Sequence, residues 1–217
     1  MKGDVVVVEG HHRRAAGVIA AAIIERIRIR TSRYVVTVAG ESGSGKSETA
    51  RAIADELERF GVRSLVLGQD DYFVLPPKAN DARRRADPGW LGPHVEVRLD
   101  MMQENLRDAV AGARELTKPL IDYDANSLGE ERISLEGVAV VIAEGTYASL
   151  LKHADTRVFI ARSRADTLEH RQKRNRGGEA ADPFVEQVLE MEHKIIAGHR
   201  LLADFIITKD YDVLPAR

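Results

Sequence analysis

The hydrophobic positions of this 217-residue chain form short continuous apolar runs and longer segments in which apolar residues recur every three to four positions. The continuous runs are rich in β-branched residues, which is typical of buried strands. They are 5–8, 34–39, 64–68, 138–143, 157–161 and 205–208. The periodic segments indicate helices that cover a core with one face. They are 13–30, 46–60, 99–113, 163–174 and 184–197.

Strands that alternate with helices in this way predict a parallel sheet covered by helices on both faces. The run 138–143 is the most apolar, and we expect it to be a central strand. Residues 119–123 and 132–135 predict an extended pair, whereas the stretch 75–93, rich in Pro, Arg and Asp, predicts a loop. Residues 1–33 form a strand–helix extension that we expect to pack on the main domain, 34–217. The alternative for this helix is a surface that binds a membrane or a partner.

Composition excludes several classes of protein. The 32 basic and 34 acidic residues leave a net charge of −2, so bulk charge does not favour nucleic acid as a partner. The chain has no cysteine, which excludes disulfides, thiolate metal sites and a cysteine nucleophile. No run approaches the ~20 apolar residues of a membrane helix. These features predict a cytoplasmic protein without a membrane or nucleic-acid partner, and the apolar N-terminal helix leaves a homo-oligomer open.

Residues 40–47, GESGSGKS, match the phosphate-loop motif G-x-x-x-x-G-K-[ST] in full. They follow a predicted strand and open a predicted helix, which is the context this motif requires. Its glycines let backbone N–H groups face phosphate oxygens, Lys46 reaches the β- and γ-phosphates, and the Ser47 hydroxyl can bind Mg²⁺. The predicted ATP-binding residues are Gly40, Glu41, Ser42, Gly43, Ser44, Gly45, Lys46, Ser47 and Glu48. GTPases, motor ATPases and small-molecule kinases all share this loop.

Two acidic positions follow predicted strands at the sheet edge where ligands bind in open α/β folds. Asp70 and Asp71 come directly after 64–68, and Glu144 comes directly after 138–143. A carboxylate at this edge faces the γ-phosphate, where it can accept a proton from a substrate hydroxyl or hold Mg²⁺ through water. The alternatives are a turn or cap for Asp70 and a simple strand end for Glu144.

The segments GESGSGKS at 40–47, QDDYF at 69–73 and AEG at 143–145 together resemble the uridine kinase, phosphoribulokinase and nicotinamide riboside kinase group of P-loop kinases. The resemblance extends over roughly residues 34–212. It implies the P-loop NTPase fold, a three-layer α/β/α sandwich with a mostly parallel central sheet. It also implies that Asp70 is the catalytic base and that Tyr72 and Phe73 line the acceptor site. Ser47, Asp70 and Glu144 would then hold Mg²⁺.

Basic residues are concentrated at 171–176, followed by Gly177-Gly178. Such a run is usually a solvated helix face, but arginines before a glycine hinge also suit a lid that covers the γ-phosphate. The resemblance favours a short lid near 171–182 and implies catalytic roles for Arg174 and Arg176, together with Lys46 and Asp70.

The acceptor side departs from the family pattern at two places. His94 follows Pro93 where riboside kinases have an Asp that grips ribose hydroxyls, and Leu128 replaces the base-reading His of the uridine kinase stretch Y-D-x-x-S-H. We predict acceptor contacts from His94, Tyr123 and Arg132, with a surface position as the alternative for His94.

The predicted function is transfer of the ATP γ-phosphoryl group to a hydroxyl of a small metabolite, most directly a nucleoside such as uridine. Nicotinamide riboside, another sugar or a pantothenate-like alcohol is the alternative acceptor. A nucleotide-dependent switch or regulatory ATPase is the alternative from another class.

Overall fold

A computed structural model describes residues 2–3, 5–163, 166–167 and 182–216 of the chain. The strands in this part are β1 (Tyr34–Gly40), β2 (Ser64–Gly68), β3 (Glu115–Asp122), β4 (Ser127–Ser134), β5 (Val140–Glu144), β6 (Thr156–Ile160), β7 (Phe205–Ile207) and β8 (Val213–Pro215). The α-helices are α1 (Gly10–Arg28), α2 (Lys46–Arg59), α3 (Pro77–Ala86), α4 (Leu99–Val110) and α5 (Pro183–Ile196).

The main sheet has the strand order β2-β5-β1-β6-β7-β8. Every residue of β1 and β5 is buried, as their continuous apolar runs predict. The pairings among the first five strands of this order are parallel, and β8 runs antiparallel to β7 at the edge. The predicted α/β class with a mostly parallel sheet is therefore confirmed.

Alternate residues of each central strand enter two separate apolar clusters, one on each face of the sheet. On one face, Val36 and Ile142 pack with Ile19 of α1 and Ile53 of α2. On the other face, Val35 and Val141 pack with Met102 and Leu106 of α4 and with Ile196 of α5. The result is three layers, and the apolar face of α1 is covered by the chain's own core.

β3 and β4 form a separate antiparallel hairpin in which Pro119 lies opposite Glu130. This confirms the predicted extended pair, although both strands are longer than the apolar pattern indicated. The hairpin is joined to the end of β2 by Asp71, as described below.

Three elements differ from the sequence prediction. Residues 5–8 do not form a strand: this run of four valines pairs with no strand in the described part of the chain, and Val5 and Val7 are exposed. The predicted loop 75–93 contains α3, which begins at a proline in the first helical turn, where proline is tolerated. β8 was not predicted, because three residues are too few for a period. Most of the predicted helix 163–174 lies outside the described residues. The division of the chain at residue 33 stays a prediction.

Candidate functional site

The phosphate loop connects the end of β1 to the first turn of α2, as its sequence predicts. The Lys46 Nζ donates to the carbonyl oxygen of Glu41 at 2.9 Å, and the Ser44 N–H donates to the same carbonyl at 3.1 Å. Gly45 has φ +94°, a conformation that favours glycine, and it immediately precedes the helix. The loop is therefore held by hydrogen bonds to its own Glu41 carbonyl oxygen, and Lys46 lies at the position in the motif from which its side chain can reach phosphate.

Glu144 lies at the end of β5 and faces the first turn of α2. The Ser47 hydroxyl donates to its Oε1 at 3.1 Å. Burial and, next, the charge of Asp70 raise the pKa of Glu144, Lys46 and the Ser47 hydrogen bond oppose the rise, and the resulting pKa is about 7. Asp70, Lys46, Ser47 and Glu144, which come from three separate segments, thus lie close enough to interact.

The two aspartates of the QDDYF segment have different environments. Asp71 is buried: its Oδ2 accepts from Lys118 Nζ at 2.7 Å, and its Oδ1 accepts from the N–H of Ile121 at 3.1 Å. It therefore joins the hairpin to the end of β2. Asp70 is only half-buried and acts electrostatically on Glu144. This division leaves Asp70 as the aspartate available for chemistry.

The predicted acceptor residues are spread over several environments. Tyr72 is fully buried and its hydroxyl donates to Asn105 at 2.8 Å, so it is part of the core instead of the acceptor wall. Phe73 is half-buried and lies beside an open groove of about 400 Å³ between α4 and the hairpin. His94 is exposed, and the Arg132 side chain is 77% exposed and lies 3.8 Å from Glu115. Tyr123 is half-buried after β3 and its N–H donates to Lys2.

A buried ionic cluster beside the phosphate loop was missed by the sequence analysis. Arg84 of α3 donates to Oε2 of Glu96 at 2.6 Å, and Glu96 is fully buried. The Arg84 guanidinium lies 5.7 Å from the centroid of the Phe73 ring. Glu192 of α5 is also buried, and its Oε2 has no hydrogen-bond partner within the described part of the chain.

Electrostatic interactions connect this cluster to the loop. Burial raises the pKa of Glu192, while Arg84 and, more weakly, Lys46 oppose the rise. Burial and the charges of Glu192 and Glu96 raise the pKa of the Tyr147 hydroxyl. The four residues of the cluster come from separate segments: Arg84 from α3, Glu96 from the loop before α4, Tyr147 from the segment after β5, and Glu192 from α5. No local motif connects them, so only the fold reveals the cluster.

A second contact joins α5 to the phosphate loop. His193 Nδ1 lies 2.6 Å from Oε1 of Glu41, and Glu41 is buried. α5 follows the predicted lid segment in the chain, and Glu192 and His193 are the residues through which this helix interacts with the phosphate loop. The lid residues Arg171, Arg174 and Arg176 lie outside the described residues.

The donor set fits Mg²⁺ better than a transition metal. Ser47, Asp70 and Glu144 offer oxygen atoms, and Mg²⁺ is usually bound by one or two protein oxygens together with water and substrate phosphates. Within the described ranges there is no ready-made cluster of three or more His, Cys, Asp or Glu residues for a metal ion. Among the described residues, no helix has the length and apolar character to cross a bilayer.

Comparisons with known proteins agree with this geometry. The model of the phosphoribulokinase / uridine kinase family matches residues 35–188. The chain is 30% identical over 193 residues to the bifunctional alpha-galactosidase/sucrose kinase of Mediterraneibacter gnavus, covering 84% of this chain and 21% of that protein. It is 28% identical over 197 residues to a uridine kinase of Ureaplasma urealyticum, covering 77% of this chain and 93% of the relative.

A solved structure has the same fold. The D-glycerate 3-kinase from Cryptococcus neoformans has a TM-score of 0.64 to this chain at 15% identity, covering 95% of this chain and 98% of the other. The chain thus spans nearly the full length of the uridine kinase and of this structure, but only about a fifth of the bifunctional relative.

Proposed function

Because the chain belongs to the phosphoribulokinase / uridine kinase family, we propose that it is a kinase that transfers the γ-phosphoryl group of ATP to a hydroxyl of a neutral sugar, most directly the sugar of a nucleoside. The observation that supports this best is the meeting of Lys46, Ser47 and Glu144 at one sheet edge with Asp70 beside them. Phosphate binding, metal placement and proton removal are the functions that phosphoryl transfer requires.

Each residue has a distinct role in the proposed reaction. Lys46 and the loop N–H groups hold the phosphates, while Ser47 and Glu144 would hold Mg²⁺, which neutralises charge on the phosphates when bound. The Asp70 carboxylate accepts the proton of the acceptor hydroxyl as its oxygen attacks the γ-phosphorus. ADP leaves with the electron pair of the broken P–O bond. Arg174 and Arg176 would stabilise charge on the transferring group.

The preference for a neutral acceptor follows from the ionic cluster. Arg84 is already paired with Glu96, and Glu192 adds a second buried carboxylate close to it. An acceptor carrying a phosphate or carboxylate would be brought towards these like charges, which is unfavourable in a buried site. Sugar hydroxyl groups carry no charge, and the buried Oε2 of Glu192, which has no hydrogen-bond partner among the described residues, is the atom to which one of them would donate.

The groove beside Phe73 supports an acceptor larger than a single small sugar. Its walls include Met101 and Leu128, which are apolar, and its volume of about 400 Å³ lies within the range of small-molecule sites. A nucleoside would direct its sugar to Asp70 and its base towards this groove. A free carbohydrate is the second candidate, favoured by the 30% identity to the protein described as a sucrose kinase.

The test is ADP release with Mg²⁺ and ATP against a panel of acceptors. The panel contains uridine, cytidine, nicotinamide riboside, fructose and sucrose as neutral acceptors, with glycerate, ribulose 5-phosphate and pantothenate as anionic ones. We expect stimulation by one of the neutral compounds. Stimulation by an anionic acceptor alone would reject the proposed acceptor class. ATP binding without turnover on any acceptor would instead favour the nucleotide-dependent switch.

A further inference from the structure

A polar connection leads from the N-terminal helix α1 through Tyr211 to the phosphate loop. Tyr211, from the turn after β7, is buried and its hydroxyl donates to the carbonyl oxygen of Ser44 at 3.1 Å. The same hydroxyl lies 3.1 Å from Nε2 of His12, a fully buried residue of α1. A β-strand end, a helix and the loop are therefore joined at a single oxygen atom.

The hydrogen-bond network determines which histidine nitrogen carries the proton. Nδ1 of His12 accepts from the N–H of Glu9 at 3.1 Å, so its lone pair is used there. The proton is therefore assigned to Nε2, which donates to the tyrosine oxygen. Arg162 Nη1 is a second donor to that oxygen, at 2.9 Å. With two donors and its own proton on Ser44, the tyrosine hydroxyl has a complete set of partners.

The bond to Ser44 orients a peptide group that matters for phosphate binding. In a planar trans peptide the C=O of one residue and the N–H of the next point in opposite directions. Holding the Ser44 carbonyl against Tyr211 therefore turns the Gly45 N–H to the opposite side, away from the tyrosine. An N–H group turned away from such an anchor is free to line the concave side of a phosphate loop, where N–H groups face phosphate oxygens.

The space around Gly45 supports the same arrangement. A Cβ on Gly45 would meet first the Tyr211 hydroxyl and next Nε2 of His12, so both groups lie directly against the loop backbone. Tyr211 itself has φ +65°, an uncommon conformation for a non-glycine residue. A turn closes around it, since its N–H donates to Thr208 at 3.0 Å.

We propose that Tyr211 and His12 are positioning residues that hold the Ser44–Gly45 peptide in the phosphate-binding orientation. The N-terminal helix then contributes to nucleotide affinity without touching the nucleotide. This inference rests on the proposed role of the loop as the ATP phosphate site.

The first test compares nucleotides that do and do not carry a β-phosphate. In Tyr211→Phe the ring is kept and the hydroxyl is lost, so the peptide can turn. We expect the Kd for Mg·ATP and for Mg·ADP to rise about tenfold, with the inhibition constant of AMP and the KM of the acceptor unchanged. A structural role alone would lower the melting temperature without separating ADP from AMP.

A matched control is Tyr34→Phe. Tyr34 is also a buried tyrosine, but it lies in β1, and its hydroxyl lies 2.7 Å from Thr156, at the opposite end of β1 from the loop. We expect this change to lower stability with no effect on nucleotide affinity. Equal weakening of ATP binding in both variants would overturn the proposal.

The histidine gives a second, independent pair of variants. In His12→Leu the donor is lost, and we expect the affinity for Mg·ADP to fall several-fold. In His12→Gln an amide N–H can still donate to Tyr211, so the loss should be smaller. Unchanged ADP affinity in both Tyr211→Phe and His12→Leu would overturn the positioning role alone. A wild-type protein that bound no ATP would overturn the proposed function as well.

Discussion

The hydroxyl of Ser47 donates to Oε1 of Glu144 across 3.1 Å, which joins the first turn of α2 to the end of β5. This contact holds a carboxylate in a buried position beside the phosphate loop. Glu144 is surrounded by groups that act in opposite directions: burial and Asp70 disfavour its charge, and Lys46 and Ser47 favour it. A side chain with these interactions should affect both stability and metal binding.

The first prediction concerns stability as a function of pH in the absence of ligand. The pKa of Glu144 is about 7 in the folded protein against an ordinary value of 4.5. Between these two values the folded protein holds a proton that the unfolded chain has released, so the free energy of unfolding falls as the pH rises. The ionisation of Glu144 can lower the free energy of unfolding by up to about 3 kcal/mol over this pH range.

Glu144→Gln removes that titration while retaining a hydrogen-bond acceptor for Ser47. We therefore expect the variant to be more stable than the wild type at pH 8, with the difference becoming small near pH 4.5. Urea unfolding of both proteins at several pH values measures it. The same pH dependence in the two proteins would show that Glu144 ionises normally.

The second prediction concerns the magnesium requirement. If the Ser47 hydroxyl binds Mg²⁺, Ser47→Ala should raise the Mg²⁺ concentration for half-maximal activity at least about tenfold, because a metal ligand is lost. Ser47→Thr is the control, since the motif allows either hydroxyl. Measuring activity against free Mg²⁺ at saturating ATP distinguishes these variants, and an alanine variant with the wild-type requirement would remove Ser47 from the metal site.

The outcome for individual residues shows what the sequence could predict. The phosphate loop, β1 and α2 were predicted well, because the motif lies in one continuous segment whose residue types are each required locally. The valines at 5–8 were predicted as a strand, but a strand needs a neighbour, and the sequence does not say which segments become adjacent. Tyr72 was expected in the acceptor site because the QDDYF segment resembles the kinase family, yet the turn after β2 directs it into the core.

The ionic cluster could not have been predicted from local patterns. Arg84, Glu96 and Glu192 are separated by many residues and meet only after α3 and α5 fold over the loop. A charged residue in a helix is usually exposed, so the burial of Glu192 could not be predicted from its position in the helical pattern. The two aspartates at 70–71 could not be distinguished either, because their difference depends on Lys118 from a distant strand.

The third prediction distinguishes these aspartates. Asp70→Asn should lower kcat at least about 100-fold, because the proton acceptor is lost, and ATP affinity and the melting temperature should stay close to the wild type. Asp71→Asn removes the charge that pairs with buried Lys118, so we expect a loss of about 3 kcal/mol in the free energy of unfolding. Its folded fraction should retain turnover.

Steady-state kinetics at low temperature and urea unfolding together test this pair. The idea would be contradicted by the reverse pattern, in which Asp70→Asn unfolds the protein and Asp71→Asn abolishes turnover in a stable one. Equal losses of turnover in two stable variants would assign both carboxylates to the reaction.

The fourth prediction concerns acceptor recognition by Glu192. Its unpartnered Oε2 lies in a buried position near Arg84, whose charge opposes the rise in pKa that burial causes, and an ionised carboxylate accepts a stronger hydrogen bond from a substrate hydroxyl than an amide oxygen does. Glu192→Gln should therefore raise the KM of the acceptor about tenfold and change the KM of ATP less than about twofold.

Glu190→Gln is the matched control, because Glu190 lies on the same helix with an exposed side chain and pairs with Lys194 at 3.2 Å. This variant should leave both constants unchanged. Since Gln carries no charge that would repel an anion, Glu192→Gln should also increase activity with glycerate relative to activity with the preferred neutral acceptor. If the KM of ATP rose instead and the acceptor preference stayed the same, Glu192 would be acting on Lys46 and the phosphate loop, and the acceptor would have to be recognised elsewhere.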